Sequence, residues 1–92
     1  MKLMVLDKND KWETHMDKVN EESRELIEAI KEGNMSHIAE EVLDNIQVSI
    51  GILDKLYNEG LNIEEVVHIH NRKLVNRGWK HKAAVRVQVN KK

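Results

Sequence analysis

The sequence predicts an all-α fold, a small helical bundle, and three observations predict it. Proline is absent from all 92 residues, so no ring interrupts a long helix. Three of the four glycines, Gly33, Gly60 and Gly78, follow stretches of helical periodicity and read as stops. Between them, apolar residues recur at spacings of three, four and seven, which is how one inward face of a helix appears in sequence. The length makes a single domain, 1–92, near the lower size at which one core is comfortable. Hydrophobic residues make up 40% of it, yet Trp12, Tyr57 and Trp79 are the only aromatics. Aliphatic side chains and Met must fill the interior, and so small a core gains stability from a partner chain.

The first helix is expected over about residues 11–31. Asp10 is placed to cap it, with Glu13 completing a capping box. Trp12, Met16, Val19, Leu26 and Ile30 form its apolar face, and Gly33-Asn34 ends it. The second helix is expected over about 36–57 and is apolar on two sides. One side carries Met35, Ala39, Val42, Ile46, Ile50, Leu53 and Tyr57; the other carries Val48, Ile52 and Leu56. Such a helix is covered from both directions. Gly51 inside it suggests a close helix crossing. The third helix is expected over about 63–77. Asn62 caps it with Glu65 as box partner, Leu61 and Val66 make a hydrophobic staple, and Gly78 stops it.

Beyond Trp79 the pattern changes. In the tail, 79–92, Ala83, Val85, Val87 and Val89 alternate with polar residues, which is strand periodicity. A β-like tail needs a partner, either Leu3–Leu6 or another chain; otherwise it is a flexible arm. The tail also concentrates Lys80, Lys82, Arg86, Lys91 and Lys92 with no acid, while the rest of the chain is acidic.

Composition removes several function classes. Cysteine is absent, so there is neither a disulfide framework nor a thiolate metal site. No apolar run reaches membrane-spanning length, and Leu3–Leu6 is too short for a signal-peptide core. A soluble, cytoplasmic protein is expected. The net charge of −1 gives no reason to expect nucleic acid as a partner.

The chemistry-bearing pattern is acidic. Glu21, Glu22 and Glu25 lie on the first helix, Glu41 and Asp44 on the second. Residues three apart share a helix face, so Glu22/Glu25 and Glu41/Asp44 are two pairs that converge if the helices run antiparallel. Converging carboxylates repel and raise one another's pKa values, and a divalent cation removes that conflict. An all-oxygen set favours Mg²⁺, with Mn²⁺ as a substitute, over zinc. The competing reading is a solvated acidic face, since the chain has 16 acids. On the third helix, Lys73 and Arg77 border the face of His70 and Leu74. They are able to bind phosphate oxygens or simply to favour a helix C-terminus.

Taken together, Lys18-x-x-Glu21-Glu22-x-x-Glu25, then Glu41-x-x-Asp44, then Asn71-x-Lys73-Leu74-x-x-Arg77 resembles the MazG-type all-α nucleoside triphosphate pyrophosphohydrolases, over about residues 15–79. The resemblance implies Mg²⁺-dependent hydrolysis between the α and β phosphates, and assembly into dimers or tetramers. It implies Glu22, Glu25, Glu41 and Asp44 as metal ligands, and Lys18, Asn71, Lys73 and Arg77 as substrate-binding residues. Glu21 and Glu25 are the candidates for the catalytic base. Two other readings stand beside this one: a phosphoribosyl-ATP pyrophosphohydrolase, which the Asn71/Lys73/Arg77 motif argues against, and a non-catalytic helical interaction or nucleotide-binding module. His68 and His70 are two apart on a helix and point to different sides, so they make a poor metal pair. His70 reads instead as an interface residue. His15, His37 and His81 belong to no constellation. Trp79 reads as a helix-end anchor, with base stacking as the alternative.

Overall fold

The structure is a computed structural model, and it describes residues 1–90; Lys91 and Lys92 of the basic tail lie outside the described residues. Three helices follow in order: α1 (Trp12–Glu32), α2 (Met35–Asn58) and α3 (Ile63–Asn76). Residues Met1–Glu59 make one compact unit, and the chain from Gly60 onward makes a second. The all-α expectation holds, with each helix boundary within a residue or so of its expected place.

The first unit is an α-hairpin. Gly33 ends α1 in the left-handed conformation (φ 78°) and returns its N–H to the Ala29 carbonyl, a backbone geometry that glycine adopts without strain. Asn34 then caps α2, its side chain accepting the His37 N–H at 3.0 Å. Cross-helix contacts pair Glu32 with His37, Glu22 with Asn45 and His15 with Gly51. As numbers fall along α1 they rise along α2, so the two helices run antiparallel. Asp10 does not cap α1. Its carboxylate is held by Lys8 at 3.0 Å, and the cap position falls to an extended Lys11 without a side-chain bond.

The seam of the hairpin is not the one the apolar pattern of α1 suggested. His15 and Ala29 are the buried residues of α1, and Glu22 and Leu26 on the same line are half-buried. Trp12, Met16, Val19 and Ile30 are exposed, Met16 at 68%. On α2 one half-buried line is Glu41, Asn45, Val48, Ile52 and Leu56; of the other expected side Ile50 and Tyr57 are half-buried, while Val42, Ile46 and Leu53 are exposed. The His15 ring rests 3.6 Å from where a Cβ of Gly51 would stand. That is ordinary contact distance, so no close crossing demands this glycine. Trp12 stacks obliquely on His15, ring centroids 5.8 Å apart, and carries Lys55 Nζ over its face at 5.2 Å.

In the second unit Asn62 caps α3 as expected, accepting the Glu65 N–H at 3.1 Å. Gly78 (φ 90°) closes it, with the Trp79 N–H returning to the Leu74 carbonyl. Ile63 is buried and Val67 and Leu74 are half-buried, whereas His70 and Trp79 are exposed. The tail forms no strand among the described residues. An isolated strand leaves its ladder groups unpaired, and residues 3–6 are not a strand either; the Met4 carbonyl instead accepts the Gln47 side-chain N–H.

Candidate functional site

The carboxylates converge inside the hairpin seam. The antiparallel pairing brings the middle of α1 level with the first half of α2. Ligand-capable oxygens of Glu22, Glu41 and Asp44 lie within 4.8 Å of one another, and so do those of Glu21, Glu22 and Glu25. Glu22 belongs to both triads and is the hinge of the cluster. The expected ligands therefore stand in two triads on one helical hairpin, Glu41 and Asp44 with Glu22 in one, Glu25 and Glu21 with Glu22 in the other.

Glu25 and Asp44 are exposed; it is Glu22 and Glu41 that set this cluster apart from a solvated acidic face. Glu41 is only 12% exposed at its side chain. Glu22 Oε2 and Glu41 Oε2 are buried and have no hydrogen-bond partner. An unpaired buried carboxylate oxygen is costly. Burial first, then the charge and hydrogen bond of Glu25, then the charges of Asp44 and Glu21, push the Glu22 pKa above the ordinary carboxylate value. Two orphaned oxygens from facing helices within an all-oxygen donor set fit a hard divalent cation, which would satisfy them and cancel the repulsion. Lys18 reaches Glu21 at 3.3 Å, as a one-turn pair on the exposed edge.

The cluster opens into a cleft of about 530 Å³ lined by Glu21, Arg24, Glu25, Glu28, His37 and Glu41. Two of these carry information that sequence reading missed. His37, which the sequence placed in no constellation, bonds Glu32 through Nδ1 at 3.0 Å and lies 3.4 Å from Glu41 Oε1 through Nε2. The Glu32 hydrogen bond is the largest influence and raises its pKa; burial opposes it, and the Glu32 and Glu41 charges add to the rise. The i, i+4 spacing of His37 and Glu41 was the available signal. Arg24 joins His37 as a basic residue lining a cleft of four glutamates; only its position beside Glu21 and Glu25 could have marked it.

A third missed residue is Asn45. Its side-chain nitrogen donates to the Glu22 carbonyl at 2.9 Å and to the Glu41 carbonyl at 2.8 Å. Nothing in the periodicity singles out one Asn on a mixed helix. Asn71, Lys73 and Arg77 fall in the second unit, on α3 and its C-cap, and all three are exposed.

Comparison with known families gives one match, to the family described as MazG nucleotide pyrophosphohydrolase domain, over residues 10–81. No curated protein and no solved structure matches the chain.

Proposed function

The chain belongs to the MazG nucleotide pyrophosphohydrolase family, and on that premise we propose that it is a Mg²⁺-dependent nucleoside triphosphate pyrophosphohydrolase. The products are a nucleoside monophosphate and pyrophosphate. The observation that carries the reading is the pair of orphaned, buried oxygens on Glu22 and Glu41, drawn together with Asp44 across the hairpin seam.

Glu22, Glu25, Glu41 and Asp44 would hold the metal. When bound, Mg²⁺ neutralises phosphate charge and orients a water for in-line attack. The protein's own work is positioning and proton transfer, because phosphoryl transfer needs little covalent help. A water oxygen bonds to phosphorus as the bridging α–β P–O bond breaks, and the water's proton passes to a carboxylate. Glu21 and Glu25 line the cleft, and whichever of the two is not fully engaged by the metal would take that proton. Lys18, Asn71, Lys73 and Arg77 are assigned to substrate, and Arg24, which lines the cleft, joins them as a phosphate-binding cation.

The reading includes assembly into a dimer or tetramer in the cytoplasm. No helix is long and apolar enough to cross a membrane among the described residues. Met16, Ile30 and Leu43 are exposed on α1 and α2, more apolar surface than a lone hairpin covers. Sedimentation is expected to show a dimer or larger species at micromolar concentration; a compact monomer there would count against assembly. The function is tested with a panel of nucleoside triphosphates and phosphoribosyl-ATP, with Mg²⁺ and with chelator, scored for pyrophosphate. Release from a nucleoside triphosphate that stops with chelator supports the reading. No release from any of them, with or without metal, overturns it.

A further inference from the structure

We propose that Asn45 is a positioning residue that sets the register of the two carboxylate pairs by tying the backbones of their two buried members together. The inference rests on the carboxylate cluster being a metal centre. It concerns a residue that is neither a ligand nor a substrate contact.

The chemistry of the amide fixes its orientation. A side-chain amide and its flipped form are told apart by their partners. Both neighbours of Asn45, the Glu22 and Glu41 carbonyls, are acceptors, so the NH₂ end must face them. That group has two hydrogens, and each carbonyl takes one. Both carbonyls belong to helical residues that already accept an intrahelical N–H; the amide uses their second lone pairs. The bond to Glu41, four residues back on the same helix, locks the Asn45 side chain against its own backbone. The bond to Glu22 crosses the seam.

The two residues so joined are the ones with orphaned buried oxygens, Glu22 Oε2 and Glu41 Oε2. The apolar side chains of the seam, Leu26 and Ala29 on α1 and Val48 and Ile52 on α2, favour burial but have no direction. They tolerate a slide of one helix along the other. A hydrogen bond of 2.8–2.9 Å does not. Metal ligation tolerates only about 0.2 Å of error. A directional bond at the level of the ligands therefore supplies what the apolar seam lacks. The carbonyls keep their helical partners without the amide, so its removal orphans no buried group. It loosens the register while leaving the fold intact.

The test compares Asn45→Leu, similar in volume and unable to donate, with Ile52→Ala, which opens a cavity farther along the same seam. The readouts are Mn²⁺ affinity without nucleotide, by spin-resonance titration, and thermal midpoint in chelator. Asn45→Leu is expected to keep its midpoint and lose roughly tenfold or more in Mn²⁺ affinity, the usual cost of removing an outer partner of a metal ligand. Ile52→Ala is expected to lose stability and keep its affinity. Asn45→Ala, a strong helix former, provides a second reading if the leucine variant misfolds. Parental affinity in the Asn45 variants overturns the inference. So does an equal loss in Ile52→Ala, because affinity then merely tracks helix packing. If the parent itself binds no Mn²⁺, the metal reading fails, and that result is distinct from either.

Discussion

The two halves of the chain handle charge in opposite ways. In the α1–α2 hairpin, Glu22 and Glu41 are turned into the seam, while Met16, Ile30 and Leu43 stay outside. In the α3 unit Ile69 and Val75 are exposed as well, but the less exposed positions go to the apolar Ile63, Val67 and Leu74, and Asn71, Lys73 and Arg77 are all exposed. The second arrangement is what an amphipathic helix does when nothing but burial is at stake. The first costs stability, because it places repelling carboxylates where apolar side chains were available to go. A fold that accepts such a cost at one place generally does so for function. The difference teaches where a metal centre is to be sought: the hairpin has a carboxylate cluster assembled within itself.

That division is most severely tested at Glu41. Glu41→Gln keeps the shape and removes one ligand charge. Turnover is expected to fall at least about a hundredfold, with circular dichroism unchanged. Mn²⁺ affinity falls with it. Full activity in a folded Glu41→Gln protein would remove the hairpin's claim to the metal and reduce its buried charge to an unexplained burden.

The contrast sharpens if metal and phosphate are held by different halves. Lys73→Ala and Arg77→Ala are each expected to weaken binding of a non-hydrolysable nucleotide by about 1–3 kcal/mol, the scale of a charge-assisted hydrogen bond. Mn²⁺ affinity without nucleotide should stay at the parent value. Isothermal titration of both ligands separates the two. If both variants bind nucleotide normally, the phosphate grip lies within the hairpin, and Arg24 in the cleft lining becomes the residue to truncate.

The same contrast explains what the sequence made legible. Helix boundaries were readable because their signals are local: Asn62 with Glu65, and Gly33 at the turn. The carboxylate pairs were readable because i, i+3 spacing survives any packing. The inward face of α1 was not. Periodicity gives the angle between residues on one helix, but not which angle meets the neighbour. Trp12, Met16 and Ile30 form a sound apolar stripe, yet the helix is turned so that His15 and Glu22 meet α2 and Ala29 is buried, with Trp12 reaching α2 through Lys55. Asp10 failed as a cap for a similar reason, since Lys8 competes for it. His37 and Asn45 gained meaning only when a second helix arrived beside them. The alternation in the tail was real in sequence but had no strand to pair with among the described residues.

The smallest expected effect concerns stability, and it tests whether the hairpin's charge burial is a cost that metal reverses. Burial, Glu25, Asp44 and Glu21 together hold the Glu22 pKa above its ordinary value of 4.5. A raised carboxylate binds its proton more tightly in the folded state than in the unfolded one. Between the ordinary and the raised value the native state therefore carries more protons, and stability falls as pH rises through that window. Above it the penalty is complete; below about pH 4.5 it is gone. Glu22→Gln has no proton to lose. In chelator at pH 7 its thermal midpoint should lie a few degrees above the parent's, and the gap should close as the pH is lowered past the window. Mg²⁺ should reverse the order at neutral pH, because ligand binding stabilises the native state in proportion to affinity and the variant lacks the carboxylate shared by both triads. Melting curves from pH 4 to 8, with and without metal, give both comparisons. A gap that does not depend on pH would mean that Glu22 is not strained by its neighbours. A gap that Mg²⁺ leaves unchanged would mean that no metal relieves the strain, and the hairpin would then differ from α3 in packing alone.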